Sequence, residues 1–83
     1  MPKIERILND VLSGKKDNNI KFSDLQKLLE GLGFSQRIKG DHHIFFQESV
    51  EEIINIQPEG NKAKAYQVKQ VRNIILNNKL EVL

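Results

Sequence analysis

The chain has no cysteine, and none of its apolar runs approaches the length that crosses a membrane. Without cysteine it can form neither a disulfide nor a thiolate metal site, and cysteine usage does not indicate a redox compartment. A membrane-spanning helix needs about 20 consecutive apolar residues. The stretch from Ile4 to Leu12 is interrupted by charged and amide side chains, unlike a signal peptide. These absences favour a soluble protein of the cytoplasm.

The 83 residues suffice for one small domain and leave no room for a second core. The apolar share of 39% is ordinary, and the aliphatic residues stand in short periodic runs. No segment is repeated, and none has the low complexity of a linker. We therefore expect a single modest core that forms without cross-links.

Acidic and basic residues are unevenly distributed, although the net charge is only +2. Residues 48–59 contain four glutamates and no basic residue, whereas no acidic residue occurs from Gly60 to Leu80. A local excess of positive charge attracts phosphates even when the whole chain is nearly neutral. The same pattern fits a solvated helix face, and charge alone does not distinguish the two.

Two amphipathic helices are predicted in the N-terminal part of the chain, over 4–12 and from residue 23. In both, aliphatic residues recur at the spacing that forms one stripe of a helix. Ser23 and Gln26, three residues apart, match a capping box at the start of the second helix. Proline favours a first helical turn, and glycine favours a helix end. Pro2 is therefore expected in the first turn of the first helix and Ser13-Gly14 at its end, and either Gly31 or Gly33 is expected to end the second helix.

Three strands are expected next, because the apolar period changes from helical to alternating. They cover residues 34–39, 42–47 and 51–57. The turns are placed at Gly40-Asp41, at 48–50 and at 57–60, the last being a type I turn around Pro58. Strands joined by such short turns should form an antiparallel meander.

A last helix is predicted from about Ala63 to Asn78. Its valines and isoleucines form one arc, and Arg72 stands at the boundary, where its stem can be buried while its head reaches out. The opposite arc consists of Tyr66, Lys69, Gln70 and Asn73. The predicted class is α+β, with a three-stranded antiparallel sheet whose one face is covered by helices and whose other face is partly open.

The two histidines of the chain, His42 and His43, are adjacent at the start of the second strand. Histidine is the side chain whose unperturbed pKa lies nearest neutrality, so it can take or give a proton there. Adjacent strand residues project to opposite faces, which argues against a histidine pair acting on one substrate. It also argues against a metal site, because Asp41 and both imidazoles would have to converge. A purely structural role, a hydrogen bond to the backbone, is equally common for such a residue.

One histidine beside basic residues suits the cleavage of RNA without a metal. A general base removes the proton of the ribose 2′-hydroxyl, which attacks the adjacent phosphorus, and histidine can be that base or the general acid. Lysine or arginine then stabilises the charge that develops on the phosphoryl oxygens. DNA lacks the 2′-hydroxyl, so this chemistry would act on RNA alone.

A short motif lies within a characteristic order of elements from Phe22 to Leu80. A leucine-rich helix ends in Gly33-Phe34, a basic strand follows, and Gly40-Asp41-His42 comes next with Phe45 behind it. An isoleucine-rich strand, a proline-containing turn and a basic helix complete the order. In these features the sequence resembles HicA, the toxin family of bacterial HicA–HicB toxin–antitoxin systems, which carries a Gly-Ser-His signature followed by an aromatic residue.

The resemblance implies a double-stranded-RNA-binding-domain-like α-β-β-β-α fold in a single domain, with residues 22–80 as its core and residues 1–21 as an additional N-terminal helix and loop. It implies an mRNA interferase, a metal-independent endoribonuclease without a small-molecule cofactor, which acts on mRNA and is inhibited by a HicB-like antitoxin protein. The family's catalytic histidine falls on His42, and His43 falls on a variable position. The residues expected to bind RNA are Arg37, Lys39, Gly40, Lys62, Lys64, Lys69 and Arg72.

Two features depart from the family pattern. Asp41 stands where the family has serine, and a carboxylate there would repel phosphates or favour the charged form of the imidazole. Strand alternation should separate the two side chains, so we expect a modest effect. The helix at 4–12 is absent from compact members and either pads the core or serves an interface.

Two other functions fit the same residues. The first is a catalytically inactive RNA-binding module of the same fold, in which Asp41 marks the lost activity. The second is a domain that only pairs with an antitoxin-like partner, for which Glu48, Glu51 and Glu52 would supply an acidic patch. Cleavage of RNA that depends on His42 would distinguish the enzyme from both.

Overall fold

The computed structural model describes residues 3–82, so the first-turn role expected for Pro2 lies outside the described residues. Its helices are α1 (Ile4–Ser13), α2 (Phe22–Gly31) and α3 (Ala65–Asn78), with a 3₁₀ turn at Asp17–Asn19. Its strands are β1 (Ser35–Lys39), β2 (His42–Gln47), β3 (Val50–Ile56), β4 (Pro58–Glu59) and β5 (Lys62–Ala63). The predicted α+β class and the order of its main elements are confirmed. Within 3–82, no helix combines the length and apolar character that crossing a bilayer requires.

The first three strands form one antiparallel sheet in the order β1-β2-β3, so β2 is central. Phe45 lies opposite Gln36 on one side and Ile54 on the other. Phe45 and Ile54 are fully buried beneath the helices, whereas His42 and Phe46 are exposed on the other face. The sheet therefore has one covered face and one open face, as predicted.

A single core joins the three helices to the covered face of the sheet. α1 contributes the buried side chains of Ile7 and Val11, and it packs against both α2 and α3. A Cβ atom on Gly31 would lie 2.8 Å from the Cδ1 of Ile4, so glycine permits the close approach of α2 to α1. The additional N-terminal helix thus pads the core, which is one of the two roles considered for it.

The capping box expected at Ser23 and Gln26 does not form. α2 begins at Phe22, and no side chain caps its first turn. The ring of Phe22 is buried, and the backbone N–H of Phe22 donates to the carbonyl of Asn61 at 3.0 Å. Because this tertiary contact replaces the cap, the Gln26 amide is free to hydrogen-bond Gln36 at 2.9 Å.

The turn expected at 57–60 lies two residues further along the chain. Pro58–Glu59 and Lys62–Ala63 pair as a short antiparallel hairpin that the sequence analysis did not predict. The N–H of Ala63 also donates to the carbonyl of Ile20 at 2.9 Å. The hairpin therefore ties the loop before α2 to the start of α3, which begins two residues later than predicted.

Candidate active site

The two adjacent histidines project from opposite faces of β2, as strand alternation predicts. His42 lies opposite Lys39 on the open face, and its side chain is 46% exposed. His43 lies between Ile38 and Ile56 in the sheet register and is partly buried on the covered face. The two imidazoles therefore cannot act on the same bound group.

His43 is held by packing and by a cluster of amides. Its ring meets the ring of Phe22 edge to face, with centroids 4.8 Å apart. Its Nδ1 lies 2.7 Å from the Oε1 of Gln36, which also accepts from the Nε2 of Gln26 at 2.9 Å. These contacts join α2 to the sheet, and they are the contacts of a residue with a structural role.

Both ring nitrogens of His42 have amide partners on or next to β3. Nδ1 lies 3.2 Å from the Oδ1 of Asn55, and Nε2 lies 3.2 Å from the Nε2 of Gln57. An amide oxygen only accepts and an amide nitrogen only donates, so both contacts are satisfied together when Nδ1 carries the proton of the neutral ring and the lone pair of Nε2 accepts from Gln57. In this tautomer Nε2 is the basic atom of an exposed imidazole, which is the form that a general base requires.

Asp41 lies closer to the imidazole than strand alternation predicts. Its Oδ1 is 3.8 Å from the Nε2 of His42, and its Oδ2 accepts from the Nε2 of Gln57 at 3.5 Å. The expected separation of the two side chains was wrong because Asp41 belongs to the turn, where the alternation of a strand does not apply. The carboxylate is 72% exposed, so solvent screens its charge.

A buried amide on α3 fixes the part of the chain that holds His42. Gln67, only 3% exposed, accepts from the backbone N–H of Gln57 at 3.1 Å and donates to the carbonyl of Asn55 at 3.4 Å. Its Nε2 also lies 3.5 Å from the hydroxyl oxygen of Tyr66. The first turn of α3 is thus connected to both residues that contact the imidazole.

The sequence analysis did not single out Asn55, Gln57 or Gln67 as site residues. For Gln67 one sequence feature could have done so, since it stands four residues before Val71 on the otherwise apolar arc of α3. A polar residue at a core position needs buried partners. Asn55 and Gln57 offer no comparable indication, because amides are ordinary residues at a strand end.

Three of the predicted RNA-binding residues lie in the hairpin that carries His42. Lys39 is its cross-strand partner, and Arg37 lies further along β1, opposite Ile44. Gly40 makes the connection in a left-handed conformation with φ of 63°, which favours glycine. The hairpin therefore places two basic side chains on the same face as the imidazole.

The other predicted lysines lie on separate elements. Lys62 belongs to β5, Lys64 is the N-cap residue of α3, and Lys69 is exposed on α3. Lys69 lines an open groove of about 590 Å³ between α3 and the edge of β3, together with Glu52 and Tyr66. The acid-free stretch of the sequence is thus distributed over a hairpin and a helix.

Arg72 is engaged inside the protein rather than displayed to solvent. Its guanidinium forms a bidentate ion pair with Asp17, at 2.9 and 3.2 Å, and its Nη1 donates to the carbonyl of Val11 at 3.1 Å. The side chains of Arg72 and Asp17 are 16% and 21% exposed. The expectation that the Arg72 guanidinium reaches into solvent is therefore wrong, because its N–H groups are hydrogen-bonded to Val11 and Asp17 in the N-terminal segment.

Comparison of the chain with models of known families, with characterised proteins and with solved structures found no match.

Proposed function

We propose that the chain is a metal-independent endoribonuclease in which His42 is the general acid/base. The supporting observation is the placement of His42 on the open face of the sheet, with a half-exposed side chain whose Nδ1 faces the Asn55 oxygen and whose Nε2 faces the Gln57 amide nitrogen. The resemblance of Gly40-Asp41-His42 to the HicA signature supports the same residue. Lys39, opposite His42, supplies a positive charge next to the reacting phosphate.

The proposed reaction begins when RNA displaces the Gln57 amide from Nε2. Nε2 takes the proton of a ribose 2′-hydroxyl, and the 2′-oxygen forms a bond with the adjacent phosphorus. The bond from phosphorus to the 5′-oxygen breaks, and that oxygen takes a proton from solvent. The products are a 2′,3′-cyclic phosphate and a 5′-hydroxyl end, and His42 returns its proton to solvent. Asn55 keeps the ring in the tautomer that this step requires.

The proposal extends to the biological role that the HicA resemblance suggests. The chain would be the toxin of a type II toxin–antitoxin system, would cleave mRNA in the cytoplasm, and would be inhibited by a HicB-like antitoxin protein over the open face. Expression of the chain should then arrest growth. The arrest should depend on His42 and should be relieved by the antitoxin-like protein encoded beside it.

One structural observation favours a second candidate function, an inactive RNA-binding or antitoxin-pairing module. The Asp41 carboxylate lies 3.8 Å from the Nε2 of His42, in the region where a phosphate would bind. A negative charge at that distance opposes phosphate binding, although water and salt weaken its effect. A module of this kind would bind RNA or a partner without turnover.

The deciding experiment is cleavage of a labelled RNA with EDTA present, using His42→Gln and His43→Gln. Glutamine keeps a polar side chain but cannot exchange a proton near neutral pH. We expect His42→Gln to lower the rate by about 100-fold or more, the usual scale of general acid–base catalysis. His43→Gln should cleave RNA at temperatures where it is folded. Equal activity of wild type and His42→Gln would exclude His42 as the catalyst, and RNA binding without any cleavage would support the inactive module.

A further inference from the structure

An exposed aromatic ring lies on the open face of the sheet, away from the histidine. Phe46 is 37% exposed and projects from β2 on the same face as His42. The two residues are four positions apart, which corresponds to about 13 Å along a strand. A single exposed apolar residue is ordinary on a protein surface. The groups that surround Phe46 distinguish it from the other exposed apolar residues.

The guanidinium of Arg37 lies over this ring. Its central carbon is 5.6 Å from the ring centroid, near the outer limit of about 6 Å for a cation–π contact. The two groups are therefore associated but not in tight contact, and the long arginine side chain can shift. Aromatic rings and arginine guanidinium planes are the two protein groups on which unpaired nucleobases stack.

The charges around Phe46 are asymmetric. Neither β1 nor β2 contains an acidic residue, and Arg37 and Lys39 share the open face with the ring. The nearest acidic strand is β3, where Glu51 is exposed. Phosphates are thus attracted along β1 and repelled along β3.

We propose that Phe46 and Arg37 form a base-stacking subsite for single-stranded RNA, with the phosphates following β1 and one base lying on the Phe46 ring. This inference rests on the proposed action on RNA. It adds the position at which the protein holds an unpaired nucleotide of the RNA away from the cleaved bond. A duplex hides the faces of its bases inside the helical stack, so the subsite accepts unpaired nucleotides only.

The test measures binding of a fluorescein-labelled, ten-nucleotide 2′-O-methyl RNA, as a single strand and as a blunt duplex, at fixed salt. This probe has no free 2′-hydroxyl, so the wild-type protein cannot cleave it by the proposed route. Stacking contributes about 1–3 kcal/mol per base. Phe46→Ala should therefore weaken single-strand binding by about 5- to 150-fold, whereas Phe46→Trp should retain it. Leu76→Ala removes an apolar side chain that is 59% exposed on α3, outside the sheet, and should leave the binding unchanged.

Thermal unfolding checks that each variant is folded, and Phe46→Leu replaces Phe46→Ala if the latter is not. The subsite is overturned if Phe46→Ala or Phe46→Leu binds the single strand as tightly as wild type. It is also overturned if the duplex binds as tightly as the single strand and loses as much affinity in Phe46→Ala. A wild-type protein that binds no single strand would overturn it as well. If the wild type cleaves unmodified RNA and Phe46→Ala binds the single strand as tightly as the wild type, the subsite is rejected and the enzyme proposal stands. If single-strand binding depends on Phe46 but the wild type cleaves no RNA, the subsite stands and the enzyme proposal is rejected.

Discussion

The side-chain oxygen of Gln67 accepts a hydrogen bond from the backbone N–H of Gln57 at 3.1 Å. Together with the bond from Gln67 to the carbonyl of Asn55, this contact caps the free edge of β3 as a neighbouring strand would. The residues that it holds are the two whose amides contact His42. A buried glutamine on α3 thereby links the core of the protein to the position of the imidazole.

Replacing Gln67 by leucine should destabilise the protein and misplace His42. The change keeps the volume but leaves a backbone donor and acceptor unpaired, which costs about 1–3 kcal/mol in the free energy of unfolding. Urea denaturation measures this cost. Gln70→Leu, on the exposed arc of the same helix, should stay within about 0.5 kcal/mol. RNA cleavage by folded Gln67→Leu should also fall, and a rate equal to that of wild type would limit Gln67 to a stabilising role.

The pair of Arg72 and Asp17 should contribute to stability and not to RNA binding. A double-mutant cycle with Arg72→Met and Asp17→Asn should give a coupling of about 1–2 kcal/mol, because the pair is bidentate and largely buried. The more exposed pair of Lys16 and Asp10, at 3.3 Å, is the control and should couple by less than about 1 kcal/mol. Weaker RNA binding by folded Arg72→Met would restore the original assignment of Arg72 to the RNA-binding surface.

The main elements of the fold were predictable because each carries its own periodicity. The stripe from Ile4 to Leu12 and the alternation of residues 42–47 depend on local geometry alone. The failures depend on contacts between distant segments. The start of α2 is set by the contact of Phe22 with Asn61, and the hairpin of β4 and β5 is tied to the loop before α2. Neither contact leaves a pattern in the local sequence.

The candidate site could be predicted only in part, for the same physical reason. Alternation placed His42 and His43 on opposite faces, and the hairpin turn placed Lys39 beside His42. The amide partners of His42 come from β3 and the residue after it, and no spacing rule connects them with the motif. The ion pair of Arg72 was missed because a wheel of one helix cannot show that Asp17 lies against it.

Removing the charge of Asp41 should strengthen RNA binding. Its carboxylate lies beside the Nε2 of His42 and opposes an incoming phosphate. We expect Asp41→Asn and Asp41→Ser to raise the affinity for RNA by a few-fold at low salt, with the gain shrinking as added salt screens the charge. Glu30→Gln, which removes an exposed charge from α2, is the matched control. Equal gains in Asp41→Asn and Glu30→Gln would mean that only the net charge matters.

Lys39 should contact a phosphate of the bound RNA, because it lies opposite His42 in the sheet. Each phosphate contact on a single strand contributes about 0.7 to the slope of log affinity against log salt concentration. Lys39→Ala should lower that slope by about this amount and weaken binding of all sequences alike. Lys27→Ala, on the exposed side of α2, should leave the slope unchanged. The same measurement on Lys62, Lys64 and Lys69 shows which of them contact the backbone, and a slope unaffected by Lys39→Ala would place the phosphates away from β1.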